Sequence, residues 1–220
     1  MLIYDSLSTK LTRRSRQEFY RQRVIQVNND LIAISEAPLS AIRYANVIGG
    51  HSAEVVEELG STSQQRHLFG LTCFNAEVVF ITGGILEDFN VTNTVQALDL
   101  NDGTFREITA MNTPRRFHSS ACLGNELFVF GGLNVDYLSS IERLDIANEA
   151  TSSWHIIYRH GKDVVPRENA AMCAVSPTKI LICGGWGSWG ALSDVIIFDI
   201  ETNNSQIVPT GLPSRLYCVN

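Results

Sequence analysis

Apolar residues in this chain gather in short runs, and clusters of Gly, Asn, Asp and Ser cut those runs off every few residues. Three runs, VVFIT at 78–82, ELFVF at 126–130 and KILIC at 179–183, are almost continuously apolar. Continuous runs of this length mark strands covered on both faces, whereas strict alternation marks a sheet with one wet face. The breaks are turn-like. Gly124-Asn125 is a hairpin signal, and NDGT at 101–104, ANEATS at 147–152 and ETNN at 201–204 are polar turns. No long stretch carries apolar residues at helical spacing, and the β-branched and aromatic residues suit strands. The pattern predicts short antiparallel strands.

The strands recur with a period. Double glycines close the three apolar runs at Gly83-Gly84, Gly131-Gly132 and Gly184-Gly185, spaced 48 and 53 residues apart. Arg66, Arg115 and Arg167 precede the runs, and Arg215 keeps the phase near the end. A later strand in each unit ends on Asp99, Asp145 or Asp199. Each unit divides into four strands, A to D; in the middle unit these are FHSSACL, ELFVFGG, SSIERLDI and SSWHIIY, with Trp154 in strand D. A degenerate earlier copy reads RVIQV (23–27), LIAIS (31–35), IRYANVI (42–48) and AEVVEEL (53–59). Ile34-Ser35 stand there in place of the glycine pair, and Gly49-Gly50 fall out of phase in its C–D turn. Still earlier, LIYDSLSTKLT reads as a C strand, a turn and a D strand. The units are 1–15 (partial), 16–65 (degenerate), 66–114, 115–166, 167–214 and 215–220 (partial).

The glycine pairs, the C-strand aspartates, the opening arginines and Trp154 together resemble the kelch repeat, with its blades of about fifty residues and its double glycine. The resemblance covers nearly the whole chain and is densest over 66–213; Phe105 and Ser205 stand in for the strand-D tryptophan of the flanking units. It implies an all-β kelch-type β-propeller, with about four four-stranded blades and partial blades at both ends. The chain is then expected to be a segment of a larger ring, or an open arc that associates through its incomplete blades. By resemblance, its function is that of a non-catalytic protein-interaction scaffold or adaptor, such as a substrate-recognition part of a ubiquitin ligase or a cytoskeletal or trafficking adaptor. Two alternatives stand beside it: a kelch-fold enzyme of the sugar epimerase or metal oxidase type, and an architectural subunit of a larger assembly.

Composition narrows the classes further. Hydrophobic residues make up 45% of the chain, enough for a core. The net charge of −6 argues against a nucleic-acid surface and leaves basic or mixed-charge protein partners. The N-terminal MLIYDSLSTKLTRRSRQ carries no apolar signal core, and no stretch approaches the ~18 apolar residues of a membrane span. A cytoplasmic protein without membrane contact is expected. Cys73, Cys122, Cys173, Cys183 and Cys218 make no CxxC pair and read as reduced, structural thiols.

Candidate chemistry is sparse. His51, His67, His118, His155 and His160 share no HxH or HExxH spacing, and no GxSxG elbow or kinase-like set occurs. No catalytic residue, metal or cofactor is assigned. The glycine pairs do not read as a phosphate cradle, because no helix follows them. They permit a sharp strand exit in a crowded blade, while the aspartates cap turns, the arginines reach carbonyls or a neighbouring blade, and Trp154 packs with its N–H bonded. Binding falls to the loops. Strand alternation puts the B–C loops (85–94, 133–140, 186–193) and the D–A connections on one face. These loops carry Asp88, Phe89, Asp136, Tyr137, Trp186 and Trp189; the connection 158–167 adds His160, Lys162 and Asp163. Aromatic residues on loops held by a rigid scaffold suit a protein-binding surface, although Tyr137 also reads as packing against its own blade.

Overall fold

The computed structural model describes residues 22–45, 54–148, 151–157 and 164–216. All named elements among them are strands. No helix there is long and apolar enough to cross a membrane. The first sheet contains β1 (Gln22–Val27), β2 (Asp30–Glu36), β3 (Leu39–Ala45) and β4 (Glu54–Ser61). The second unit follows as the short β5 (Arg66–His67), then β6 (Gly70–Phe74), β7 (Val78–Thr82), the short β8 (Ile85–Leu86), β9 (Val95–Asp99) and β10 (Phe105–Ile108). The third sheet is β11 (Ser119–Leu123), β12 (Glu126–Phe130), β13 (Ile141–Asp145) and β14 (His155–Ile157). The fourth unit is β15 (Ala171–Ser176), β16 (Lys179–Cys183), the ribbon strands β17 (Trp186–Gly187) and β18 (Gly190–Ala191), β19 (Val195–Asp199) and β20 (Asn204–Ile207). Four four-stranded antiparallel sheets result, each with its long strands side by side in chain order. This is the all-β blade architecture that the hydrophobic pattern implies. Among the described residues the sheets do not close into a ring.

The continuous apolar runs have a direct cause in this stacking. In β7, Val79 and Ile81 pack with Ile32 and Ile34 of β2. Phe80 points to the opposite face and packs with Leu127 and Val129 of β12. In β12 the other face carries Phe128 and Phe130, which meet Ile180 and Ile182 of β16 and Ile196 and Phe198 of β19. Every one of these side chains is at most 1% exposed. Burying each contributes about 1.5–3 kcal/mol, so the seams between sheets hold the molecule together. On the fourth sheet only the face toward the third is buried. Leu181, Cys183, Val195 and Ile197 on its far face are half-buried, and Cys173 is exposed.

Two local expectations change. In the first sheet β3 begins at Leu39 rather than near Ile42, and it joins β2 through a two-residue turn, Ala37-Pro38, with Glu36 paired to Leu39. That sheet therefore lacks the long B–C loop of the others. The opening arginines also do not start strand A. Arg66-His67 pair with Ile85-Leu86 as a separate ribbon. The next residue of each motif, Leu68, Phe117 or Asn169, takes φ of 57, 53 or 53° and breaks the strand. A left-handed non-glycine residue costs roughly 1–2 kcal/mol. Main-chain bonds between sheets offset it: Phe117 N–H donates to the Leu68 carbonyl at 3.0 Å, and Asn169 N–H to the Phe117 carbonyl at 2.8 Å. The expected unit 1–15 and the Gly49-Gly50 turn lie outside the described residues.

The glycine pair sits where sheets crowd. Gly131 and Gly132 have φ of 64 and 93°, and the other two pairs adopt nearly the same angles. A Cβ on Gly132 would lie 2.6 Å from the Arg116 carbonyl oxygen and 2.8 Å from His118 Cβ. Gly132→Ala is expected to cost about 3 kcal/mol through strain and collision together. Gly124→Ala, at φ of +58° with nothing within 4 Å of the added carbon, is expected to cost about 1 kcal/mol. Urea unfolding midpoints check the ordering, and equal losses would reject crowding as the reason for the pair.

Candidate partner-binding face

Each long B–C loop starts at a glycine pair, and two groups grip that pair. The first glycine's carbonyl accepts from a buried arginine of its own unit. Arg66 Nη1 donates to Gly83 at 3.0 Å, Arg115 Nη1 to Gly131 at 2.8 Å, and Arg167 Nη1 to Gly184 at 2.9 Å. The second glycine's N–H donates across the seam, Gly84 to the Arg115 carbonyl, Gly132 to that of Arg167 and Gly185 to that of Leu216, each at 2.8 Å. Leu216 thus occupies the third seat, and Arg215, which the spacing puts in phase, is exposed one position too early.

All three arginines are 0% exposed, so their charge needs a partner within the protein. Arg115 pairs with the equally buried Glu142 of β13. Arg167 makes a two-point contact with Asp194, at 2.5 and 2.7 Å. Arg66 instead donates to neutral acceptors: the Thr94 carbonyl at 3.0 Å, Thr94 Oγ1 at 2.8 Å and Gln64 Oε1 at 3.1 Å. Gln96, second residue of β9, holds the place that Glu142 holds in β13. Burial pushes the Arg66 guanidinium down to about 10, opposed by the charge of Glu107, and it stays protonated at neutral pH.

From these fixed bases the loops run outward. In 85–94, Asp88 accepts from the Asn90 N–H at 3.1 Å and the Asn90 amide at 2.7 Å. Those bonds hold its carboxyl below the usual range. Phe89, at φ of 63°, projects at the tip and is 88% exposed. In 133–140, Leu133 exchanges main-chain bonds with Arg116, and Tyr137 bridges back to Leu133. Tyr137 is half-buried, Asp136 is exposed, and Val135 between loop turns is 89% exposed. In 186–193, Trp186 pairs with Ala191 and Gly187 with Gly190, which leaves Ser188-Trp189 as the tip of a ribbon. Trp186 is anchored by main-chain bonds to Glu168 and is 39% exposed, against 93% for Trp189.

The structure therefore brings Asp88, Phe89, Asp136, Tyr137, Trp186 and Trp189 to the same end of neighbouring sheets. His160, Lys162 and Asp163 lie outside the described residues. Val135 escaped the sequence reading because a lone valine between Asn134 and Asp136 carries no aromatic signal. The opposite end holds the turn aspartates. Asp99 accepts from Asn101 N–H at 2.8 Å, Asp145 from Ala147 N–H at 2.9 Å, and Asp199 from the N–H groups of Glu201 and Thr202 at 3.1 and 3.0 Å. Trp154 is 5% exposed and donates from Nε1 to the Thr109 carbonyl at 2.8 Å. His118, 1% exposed, bonds Thr82 Oγ1 at 2.7 Å; burial, and then the nearby Arg115 charge, hold its imidazole well below its ordinary value. Among the described residues no group of three or more His, Cys, Asp or Glu could hold a metal ion.

Four-stranded antiparallel sheets packed face to face, the second clamped to the third and the third to the fourth through a glycine pair, are the blades of a β-propeller repeat protein. A family model described as the KLHDC2/KLHL20/DRC7 Kelch-repeats domain matches residues 47–215, and the chain belongs to the kelch-repeat family. It is 29% identical to the Rab9 effector protein with kelch motifs of Mus musculus over 144 residues, which is 63% of this chain and 37% of that protein. It is 27% identical to the tRNA wybutosine-synthesizing protein 2/3/4 of Arabidopsis thaliana over 119 residues, 52% of this chain and 9% of that one. Tip elongation aberrant protein 3 of Schizosaccharomyces pombe is 23% identical over 163 residues, 58% of this chain and 14% of its own length. The chain spans little more than a third of the mouse relative.

The two arginine environments predict opposite signs. Glu142→Gln strips the carboxylate from Arg115 and is expected to destabilise by about 3 kcal/mol or more. Gln96→Glu gives Arg66 a carboxylate and is expected to stabilise by about 1 kcal/mol. Chemical unfolding of both variants at neutral pH measures the pair. A destabilised Gln96→Glu would mean that the neutral acceptors already satisfy Arg66.

Proposed function

We propose that this chain is a non-catalytic protein-interaction scaffold that presents the B–C loop end of its sheets to a protein partner. One observation carries the reading. Three consecutive units each hold one large apolar side chain, Phe89, Val135 or Trp189, close to nine-tenths exposed at the same end. One such side chain is ordinary on a protein surface; a set of them repeated at one end in successive units supports an interaction role for that end. Their loops spring from hydrogen-bonded glycine pairs, so little ordering remains to be done on binding. The kelch family and the relative named as a Rab9 effector support a role in protein association. A cytoplasmic location is proposed with it, in line with cysteines that form no CxxC pair in the sequence.

The triple variant Phe89→Ser, Val135→Ser, Trp189→Ser tests the face. Its thermal unfolding is expected to match that of the native chain, because none of the three side chains is part of a core cluster. Binding to partners recovered by affinity purification and reconstituted pairwise is expected to weaken roughly tenfold or more. Retention of every reconstituted pair at native affinity would remove this face from consideration.

A further inference from the structure

We infer that this face takes a protein segment rich in Lys or Arg interspersed with apolar side chains; the inference rests on the interaction role proposed for the same face. Its three loops, 85–94, 133–140 and 186–193, contain Glu87, Asp88 and Asp136 and no Lys or Arg. All three carboxylates are exposed. Arg66, Arg115 and Arg167 at the loop bases contribute no cation to the surface, since each is 0% exposed and occupied with glycine carbonyls. Lys162 lies outside the described residues, and the exposed Arg215 stands beside the third loop, next to Leu216, so the acidic part of the face is the pair of loops 85–94 and 133–140. The neighbouring Arg116 is half-buried; burial raises the Glu168 carboxyl above its ordinary range, opposed by the charge of Arg116. His67, on the same end, is engaged at 2.8 Å by Glu36.

The acidic and apolar groups are not merely on one face; they alternate. Asp88-Phe89 and Val135-Asp136 each place a carboxylate beside an exposed apolar side chain, on adjacent units. The third unit offers Trp189 without a charge beside it. A Lys or Arg side chain has the matching build, an apolar stem that ends in a cation. Laid over Phe89 or Val135, its stem covers carbon while its head reaches Asp88 or Asp136. The exposed rings of Phe89 and Trp189 also attract cations across their faces. A purely apolar partner would desolvate three carboxylates with no compensation, and an acidic one would place like charges opposite each other. The geometry selects the basic, amphipathic alternative.

The test is selection from a randomised peptide display library on the immobilised native chain and on two variants. One is the triple serine variant; the other is Glu87→Lys, Asp88→Lys, Asp136→Lys, with the single Asp136→Lys as a folding-safe companion. The native chain is expected to enrich peptides with Lys or Arg beside aromatic or aliphatic residues. Raising salt from low to physiological strength is expected to weaken them severalfold, to an extent of roughly fivefold. The serine variant loses them, and the lysine variants enrich acidic peptides instead. Enrichment of acidic or uncharged apolar peptides that the serine variant loses would overturn the basic chemistry and leave the interaction role standing. Enrichment indifferent to the serine changes would overturn both.

Discussion

The grip on the glycine pair is the interaction from which the rest of this molecule follows. One carbonyl is held by a buried guanidinium of the same unit, and the adjacent N–H is held by the main chain of the next. That single point ties strand B to its own strand A region and to the neighbouring sheet. The positive φ of both residues turns the chain out of the sheet at the narrow place where two sheets and His118 converge. A guanidinium with no access to water is a costly object. It persists because it satisfies carbonyls that would otherwise be orphaned in the seam, and in two units because Glu142 or Asp194 neutralises it.

Packing and loops divide the remaining work. Alternate residues of β7 and β12 serve different seams, so one strand's volume changes are felt by two neighbours. Beyond the clamps, nothing in the stacking constrains what the loops carry. An Asx-type turn, a bridge back to Leu133 and a two-residue ribbon lead from equivalent bases to Phe89, Val135 and Trp189. Three unlike local structures thereby deliver the same kind of side chain to the same end. The interaction reading draws its strength from that convergence.

The fold was legible because its device is written in residue types with few other uses. Gly-Gly after an apolar run, repeated near fifty residues with a buried arginine ahead of it, leaves little room for another architecture. The turn aspartates were equally plain, since a carboxylate next to a polar turn has donors at hand. Details set by backbone conformation were not. The break at Leu68, Phe117 and Asn169 is invisible in three side chains that share nothing but position. Leu216 in the third seat could not be told from Arg215, because spacing alone is uncertain by a residue. At the face, aromatic letters found Phe89 and Trp189, but spacing could not rank Trp189 above Trp186. The Gly187–Gly190 bracket was the available signal, since it marks Ser188-Trp189 as a hairpin tip. Val135 had no signal at all; only its exposure reveals it.

The last seam separates the two halves of the grip. Leu216 provides the carbonyl for Gly185 and provides no guanidinium, yet the main-chain bond has the same 2.8 Å length as at the other seams. The joint between neighbouring units therefore recognises chain conformation, not lettering. Such a joint lets each unit drift in sequence while the angle to its neighbour is preserved. It also gives the array a polarity: each glycine pair donates forward, and the acceptor always lies in the chain that follows, so that units join in one orientation only, as links of a directed chain.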